Sequence, residues 1–485
     1  MYLGIDLGTS CVKIIILDDN DQLVAQASSP LEVSRPKSLW SEQDPADWWH
    51  ATNMAMKTLG QSNPAGLKAI KAIGLSGQMH GATLLDANNT IIRPAILWND
   101  GRSEDQCKAL EASEPNSRKI TGNIAMPGFT APKLVWLKEH EPDNFAKVAK
   151  VLLPKDYLRF LMTGDYASDM SDSAGTLWLD VEKRQWSQDM LQASGLTEAH
   201  MPALFEGTQV TGNLNSDIAE QWGMQAVPVI AGGGDNAAGA AGIGVINPKE
   251  AFLSLGTSGV YFVANESYQP NPDSAVHTFC HCIENTWHQM SVILSAASCL
   301  TWITQLTGFE DEQSLLNEIE KLDFSIPSSV TFLPYLSGER TPHNNPNAQG
   351  VFFGLGHNTD AAVLGRAVLE GIAFAFADGQ EALMAAGTQI DTVSVIGGGS
   401  RSKLWGKILA SVLNKPLTYR KGGEVGPAFG AARLAKLGVS ELSASEVCVA
   451  GEINEVIEPD QSMLAYYPDQ HAKYQQLYQS LKTHF

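Results

Sequence analysis

The chain opens on blocks of apolar residues closed by polar turns. Val12, Ile14, Ile15 and Ile16 lie in a run rich in β-branched residues, and Asp18-Asp19-Asn20-Asp21 ends it as a turn. Residues 2–26 therefore predict two strands joined by turns. Asp44 followed by Pro45 is a helix start: the Asp accepts from free first-turn amides, and the proline sits where an N–H is not needed. A helix is predicted over 45–59. Residues 72–81 (AIGLSGQMHG) predict a strand ending in a glycine turn, and residues 91–98 (IIRPAILW) a further apolar strand. Near the C-terminus, Tyr474, Leu477, Tyr478 and Leu481 recur at i, i+3, i+4 and i+7, the pattern of an amphipathic helix starting near Pro468. Strands alternating with helical stretches predict an α/β architecture.

A repeat organises the longer range. Residues 5–10 read IDLGTS and residues 253–258 read LSLGTS, so Ser10 and Ser258 are 248 positions apart in a chain of 485. Four identical residues alone can arise by chance. Each copy also sits in an apolar strand, a Gly-Thr-Ser turn and a second apolar strand, which favours duplication. Two similar α/β domains are expected, their hairpins facing a shared cleft and clamping a phosphate chain. Between the copies, VPVIAGGGDNAAGAAGIGVI runs from an apolar strand through Gly232-Gly233-Gly234 into an Ala/Asn/Gly-rich connector helix. The boundary is placed near Gly244, giving domains 1–244 and 245–485. No Pro/Ser-rich linker separates them, so a packed hinge over Gly232–Gly244 is expected, with the C-terminal helix packing back across the domains.

Composition narrows the partners. Hydrophobic residues are 44% of the chain and charged residues 18%, which supports packed cores and argues against disorder. With 33 Lys and Arg against 53 Asp and Glu, the net charge is −20. That field disfavours nucleic acid and anionic membranes, which need clustered cations. Local amides can still bind a small anion. Six cysteines, of which only Cys280 and Cys282 lie close together, form no disulfide framework and fit a reducing compartment. MYLGIDLG lacks a basic leader and Asp6 interrupts its apolar run, so no signal peptide is expected. No uninterrupted apolar window of about 18 residues occurs. A cytoplasmic, multi-domain protein is expected, and 11 Trp and 11 Tyr leave scope for a homodimer interface.

Candidate chemistry gathers at the glycine turns. Asp6 sits in an apolar strand just before Gly8-Thr9-Ser10. A carboxylate there is costly unless paired or bound to a cation. It reads as a holder of a Mg2+–phosphate complex; the alternative is an Asp capping its own turn. Gly8 lets the backbone approach a phosphate, and Thr9 Oγ and the turn amides donate to it. Lys13, four residues past Thr9 on the same strand face, either reaches a phosphate or snorkels to solvent. Asp235, after three glycines, is either a helix N-cap or a general base in the cleft. Gly397-Gly398-Gly399-Ser400-Arg401 lies between a strand and a helix beginning near Lys403, a unit able to hold adenine, ribose or phosphate against backbone. Neither a Walker A loop nor a dinucleotide-binding GxGxxG unit is present. Gln78 and His80 flank Met79 at one strand end, and Trp98, Asn99, Asp100 and Arg102 close the next. Polar tips beside a flat aromatic wall suit a small polyol; a hydrogen-bonded loop histidine is the simpler reading of His80. His277, Cys280, His281 and Cys282 lack a second ligand pair, so they read as strand packing in place of a zinc site.

Together these residues resemble the FGGY family of carbohydrate kinases, on the actin/Hsp70-type (ribonuclease H-like) ATPase fold. The resemblance rests on IDLGTS, GGGDN, LSLGTSG and IGGGSRS. It rests also on PGFTAPKLVWLKEH over 127–140, with Lys133 and Trp136, and GVFFGLGHNTDAAVLGRAVLEG over 350–371. Residues 78–81, 97–102 and 333–346 most resemble the branch acting on D-xylulose. The resemblance implies ATP as donor, Mg2+ as its metal and a small sugar as acceptor. It implies Asp235 as the base, Asp6 on Mg2+ and the phosphates, and Met79, His80, Trp98, Asp235 and Asn236 around the sugar. Gly8, Thr9, Ser10, Gly256 and Thr257 would hold phosphates, and Gly398, Gly399 and Ser400 would lie along the adenosine. Lys13 and Lys403 complete the candidate ATP-binding set. Glycerol-type relatives carry Arg-Glu where this chain has Met79-His80, which argues against glycerol. The rival expectations are another pentulose or polyol, and an actin-like ATPase that hands its phosphate to water.

Overall fold

The computed structural model describes residues 1–421 and 426–485. Two mixed sheets carry the chain. The first runs, in spatial order, Val210–Asn213, Pro228–Gly234, Ala72–Gly77, Tyr2–Leu7, Cys11–Leu17, Leu23–Pro30. The second runs His277–Cys280, Trp287–Ile293, Gly259–Asn265, Glu250–Leu255, Thr392–Ile396, Leu417–Arg420, Ile453–Ile457. In both, the strand before the Gly-Thr-Ser turn pairs antiparallel with the strand after it and parallel with the neighbour on its other side. The short sequence repeat is thus a repeat of sheet topology.

The strand composition follows from burial on both faces. Leu3, Ile5, Leu7, Val12, Ile14 and Ile16 pack with Trp48, Met56 and Leu59 of the helix Pro45–Ser62. Alternate residues Tyr2, Ile15 and Leu17 face the other way, onto Ala428, Ala432 and Ala435. The helix Pro45–Ser62 starts where its sequence predicts, with Asp44 accepting from the Ala46 amide at 2.9 Å.

In each half a helix follows the last parallel strand: Asp235–Ile243 in the first and Gly426–Gly438 in the second. These two helices pack on each other at van der Waals limits. A Cβ on Gly430 would lie 1.7 Å from the Ala238 carbonyl oxygen. The helix Gly426–Gly438 also lies directly on the first sheet: Cβ atoms on Gly4 and Gly74 would come within 2.0 and 1.8 Å of its carbonyls. Conversely, Ala240 and Ile243 join a core cluster with Phe252 and Phe262 of the second sheet. The crossing element of the second half is therefore Gly426–Gly438.

The C-terminal helix, Tyr467–Leu481, does not cross as expected. It packs on Thr331–Leu333, Ala361–Ala385 and Lys403–Leu413, all in the second half. Its buried polar groups decide this, because they need partners: Tyr474 Oη lies 2.7 Å from Tyr335 Oη, and His471 Nε2 lies 2.7 Å from Asp378. The apolar strand predicted over 91–98 shrinks to Ala95–Ile96, paired with Glu42–Gln43. Pro94 has no N–H for a ladder, and Arg93 is drawn into an ion pair with Glu42. Cys280 and Cys282 are core residues whose thiols donate to Val181 O and Ala237 O. Among the described residues no helix is long and apolar enough to cross a membrane.

Candidate active site

Three adjacent parallel strands of the first sheet end in one row, with Leu7, Gly77 and Gly234 as register partners. The residues that follow, Gly8, Gln78 and Asp235, are thereby neighbours, and such a row of carboxyl ends is where open α/β sheets bind ligands. Gly232 makes this possible. Its φ is +77°, and a Cβ would meet the Leu75 carbonyl oxygen at 1.8 Å.

Asp6 and Asp235 are both largely enclosed at this row, and each keeps partial exposure. Burial, and then the charge of Asp235, push Asp6 up to about 7, while Ser76 and its cross-strand partner Lys13 pull the other way. Asp6 Oδ1 is buried with no hydrogen bond. A buried carboxylate oxygen with no protein donor is a chemistry that fits a divalent cation. Two carboxylates plus substrate phosphates suffice for Mg2+, which keeps most of its water.

Asp235 is the first residue of its helix, with Gly234 as the cap, so it is not the N-cap. Burial pushes it up to about 6, against hydrogen bonds from Asn236. The helix end does not hold it at an ordinary carboxylate value. Both Asn236 donors, the amide at 2.7 Å and Nδ2 at 2.9 Å, reach Oδ1. Oδ2 makes no hydrogen bond among the described residues, and it is the oxygen left to take a proton.

Met79 packs against the residue before Asp235, and His80 follows it in the loop. A Cβ on Gly234 would touch Met79 Sδ at 2.9 Å, and one on Gly175 would touch His80 Cε1 at 2.6 Å. His80 holds a left-handed φ of +69°, a costly conformation outside glycine and one common at functional sites. Its carbonyl is braced by Lys133 Nζ at 2.9 Å and Thr130 Oγ1 at 3.1 Å. His80 Nδ1 lies 2.6 Å from the Gly175 carbonyl, which only accepts, so Nδ1 carries the proton and Nε2 is an acceptor. Burial, and then Lys133, push its pKa down to about 3, so the ring is neutral. Phe129 meets it edge-on at 4.9 Å. Lys133 was legible only as part of a long signature; its role as a brace for His80 needs the fold. Phe129 and Thr130 lie in the same signature over 127–140 without a role legible there, and Gly175 carries no local signal.

The first hairpin differs from its expected use in one respect. Thr9 Oγ1 donates to Gln78 Oε1 at 3.2 Å and accepts from Trp98 Nε1 at 3.0 Å. Gln78 is held in turn by Gln43 at 2.9 Å. The Thr9 hydroxyl proton is committed to protein, which leaves the turn amides of Thr9 and Ser10 as the donors for phosphate. Trp98, 44% exposed, bridges the sugar loops and the hairpin. Asp100 and Arg102 pair with each other at 2.7 Å, fully buried, and do not face the cleft.

The second hairpin borders a separate cavity of about 530 Å³, lined among others by Gly256, Thr257, Leu300, Gly398, Gly399 and Trp405. The hairpin is strapped to the helix Ala297–Leu306 by Ala297 N to Gly256 O at 2.9 Å and Ser298 Oγ to Thr257 O at 2.8 Å. Glycine backbone at Gly398 and Gly399, with Trp405 packed against Gly399, and apolar Leu300 and Leu316 in the lining suit a flat ring with a polar tail. Two predicted residues do not line it. Ser400 turns back onto Gly397 O at 2.6 Å, and Lys403 points to solvent, paired with Glu455 at 3.0 Å. A larger cavity of about 820 Å³ opens beside the crossing helix, but its Arg433 and Lys436 are taken up by Asp21.

The duplicated two-sheet fold, with Asp6 and Asp235 brought to neighbouring strand ends, agrees with sequence comparison. Residues 1–242 match the N-terminal domain of the FGGY family of carbohydrate kinases, and residues 251–438 match its C-terminal domain. The chain belongs to this family. It is 54% identical over 482 residues to the xylulose kinase of Escherichia coli K12, with 99% of each chain covered. It is 52% identical over 483 residues to the xylulose kinase of Klebsiella pneumoniae, again with 99% of each covered. Among solved structures it matches a xyloylose kinase from Brucella ovis with a TM-score of 0.97 and 51% identity over 100% of both chains. It matches the xylulose kinase from Rhodospirillum rubrum with a TM-score of 0.93 and 26% identity over 99% of both. The fold is accordingly that of the actin/Hsp70-type sugar kinases.

Proposed function

We propose that this chain transfers the γ-phosphoryl group of ATP to the 5-hydroxyl of D-xylulose, in the cytoplasm. The observation that carries the chemistry is the convergence of Asp6, Met79-His80 and Asp235 at one row of strand ends. The relatives at 52–54% identity supply the choice of sugar. All six cysteines are unpaired, which suits a reducing compartment.

In the reaction, the sugar O–H proton passes to Asp235 Oδ2 as the new P–O bond forms and the bond to ADP breaks. Asn236 holds Oδ1 and so aims Oδ2 at the hydroxyl. Met79 gives an apolar wall, and His80 Nε2 accepts from a second hydroxyl. The amides of Thr9 and Ser10, with Lys13, face the phosphates from the first half; Gly256 and Thr257 do so from the second. Gly398 and Gly399 line the adenosine slot. Asp6 would hold Mg2+, whose charge offsets that of the phosphate chain. Transfer of this kind passes through a loose transition state, so positioning and charge stabilisation do most of the work. Phosphorus NMR of the product tests the reading: a phosphomonoester on C5 of D-xylulose is expected, and inorganic phosphate in its place refutes sugar transfer.

Two further outcomes follow. His80→Ala strands a sugar hydroxyl, at about 1–3 kcal/mol, so the KM for sugar is expected to rise about 5- to 150-fold with the KM for ATP unchanged. An unchanged sugar KM removes His80 from the site. Asp235 must be ionised to accept a proton, so kcat/KM for sugar is expected to fall as pH drops through about 6. An acid limb near 4 would show that burial does not perturb the base.

A further inference from the structure

Behind the active site, five charged side chains are wholly buried. Lys155 Nζ lies 2.6 Å from Asp156, 2.6 Å from Asp169 and 3.1 Å from Asp172, and Arg159 lies 3.5 Å from Asp156; all five side chains are 0% exposed. Burying such a group is expensive, and apolar packing of equal volume often stabilises a fold as well or better. The cluster touches neither the sugar loop nor the nucleotide cavity directly. What it holds is backbone.

The strand Pro228–Gly234 pairs in register with Ala72–Gly77 as far as Ile230 opposite Gly74, then slips, resuming at Gly233 opposite Ser76. One extra residue is accommodated, a bulge between Ile230 and Gly233, two paired residues ahead of Asp235. Bulges re-aim the residues beyond them and leave backbone groups unpaired. Arg159 takes up the freed carbonyls: Nη1 donates to Ile230 O at 2.9 Å and Nη2 donates to Ala231 O. On the far side of the bulge, the Gly234 amide donates to Ser171 Oγ at 3.1 Å. Ser171 Oγ donates to Asp169 Oδ2, while Asp169 Oδ1 is held by Lys155. Asp169 also caps the short helix Met170–Ala174, and the Gly175 carbonyl after that helix fixes the tautomer of His80.

We infer that this buried cluster, acting through Arg159 and Ser171, is a positioning device that aims Asp235 at the acceptor hydroxyl. The inference rests on Asp235 being the base. Ser171 is the sensitive link, since its hydroxyl joins the cluster to the residue before Asp235 and touches no ligand.

Ser171→Ala removes that hydroxyl without unpairing a charge. It is expected to lower kcat about 10- to 100-fold, the scale on which misplacement by about 1 Å acts, with both KM values within about twofold of wild type. Arg159→Lys keeps the charge but loses the planar fork whose two nitrogens each reach one of the two adjacent carbonyls, and a similar kcat loss is expected. The deciding readout is a cycle with Asp235→Asn. Once the base is gone its aim no longer matters, so Ser171→Ala is expected to leave the residual kcat of Asp235→Asn unchanged. Full kcat in Ser171→Ala, or equal fold-losses with and without Asp235, overturns the inference. Should Asp235→Asn itself keep wild-type kcat, the base assignment fails instead, so the two failures are distinct.

Discussion

Asp235→Asn is expected to lower kcat at least ~100-fold while raising thermal stability. The asparagine keeps an oxygen for the two Asn236 donors, so the start of the connector helix is preserved. It offers no group that can accept the sugar proton. The stability effect follows from linkage. Burial raises Asp235 from 3.8 to about 6, so the folded state binds this proton more tightly than the unfolded state does. Below the unfolded value both states are protonated and nothing is lost. Above about 6 the folded protein carries an ionised buried carboxylate, beside Asp6, and is destabilised by about 1–3 kcal/mol. The neutral amide removes that cost at pH 7 and above. Retention of more than about a tenth of wild-type kcat would exclude the general-base role. A lower Tm at pH 8 would contradict the burial account.

Gly430→Ala is expected to cost about 3 kcal/mol or more in stability, at the upper end of overpacking effects. The added Cβ would sit 1.7 Å from the Ala238 carbonyl oxygen. Both atoms belong to helix backbone, so no side-chain rotation relieves the clash. The two crossing helices must separate, and they carry each half onto the sheet of the other. The proposed sugar site lies in the first half and the proposed adenosine slot in the second, so activity is expected to fall with stability. Gly239→Ala is the control: it lies on the connector helix, and no atom stands within 4 Å of its added Cβ. It is expected to be neutral or slightly stabilising, since Ala favours helix over Gly. Equal melting temperatures for the two variants would contradict the packing described.

What was legible in the sequence was local. Glycine runs, turn residues and the Asp44-Pro45 helix start each act within a few positions, and they located Asp6, Asp235 and both hairpins. The repeat then pointed to two similar α/β halves, while the strand order of each sheet came with the fold. What escaped depended on residues far apart. Lys403 joined the candidate ATP-binding set as the start of the helix after the glycines, but it pairs with Glu455. Thr9 looked free to donate until Gln78 and Trp98, from two other strand ends, took up its hydroxyl. The periodicity of the C-terminal helix showed its apolar face but not its partners Tyr335 and Asp378. The charge cluster around Lys155 has no sequence signature, because its meaning comes from a bulge more than 70 residues downstream. The raised pKa of Asp235 is likewise a property of the assembled cleft; its position at a helix start pointed the other way.

The measurement that tests the central claim most directly is ADP release by the purified protein with Mg·ATP and a panel of acceptors: D-xylulose, D-ribulose, L-ribulose, glycerol and none. The account predicts the highest kcat/KM with D-xylulose, glycerol near background, and turnover without acceptor at least ~100-fold lower. ADP release at the same rate without any sugar, or glycerol as the preferred acceptor, would contradict it.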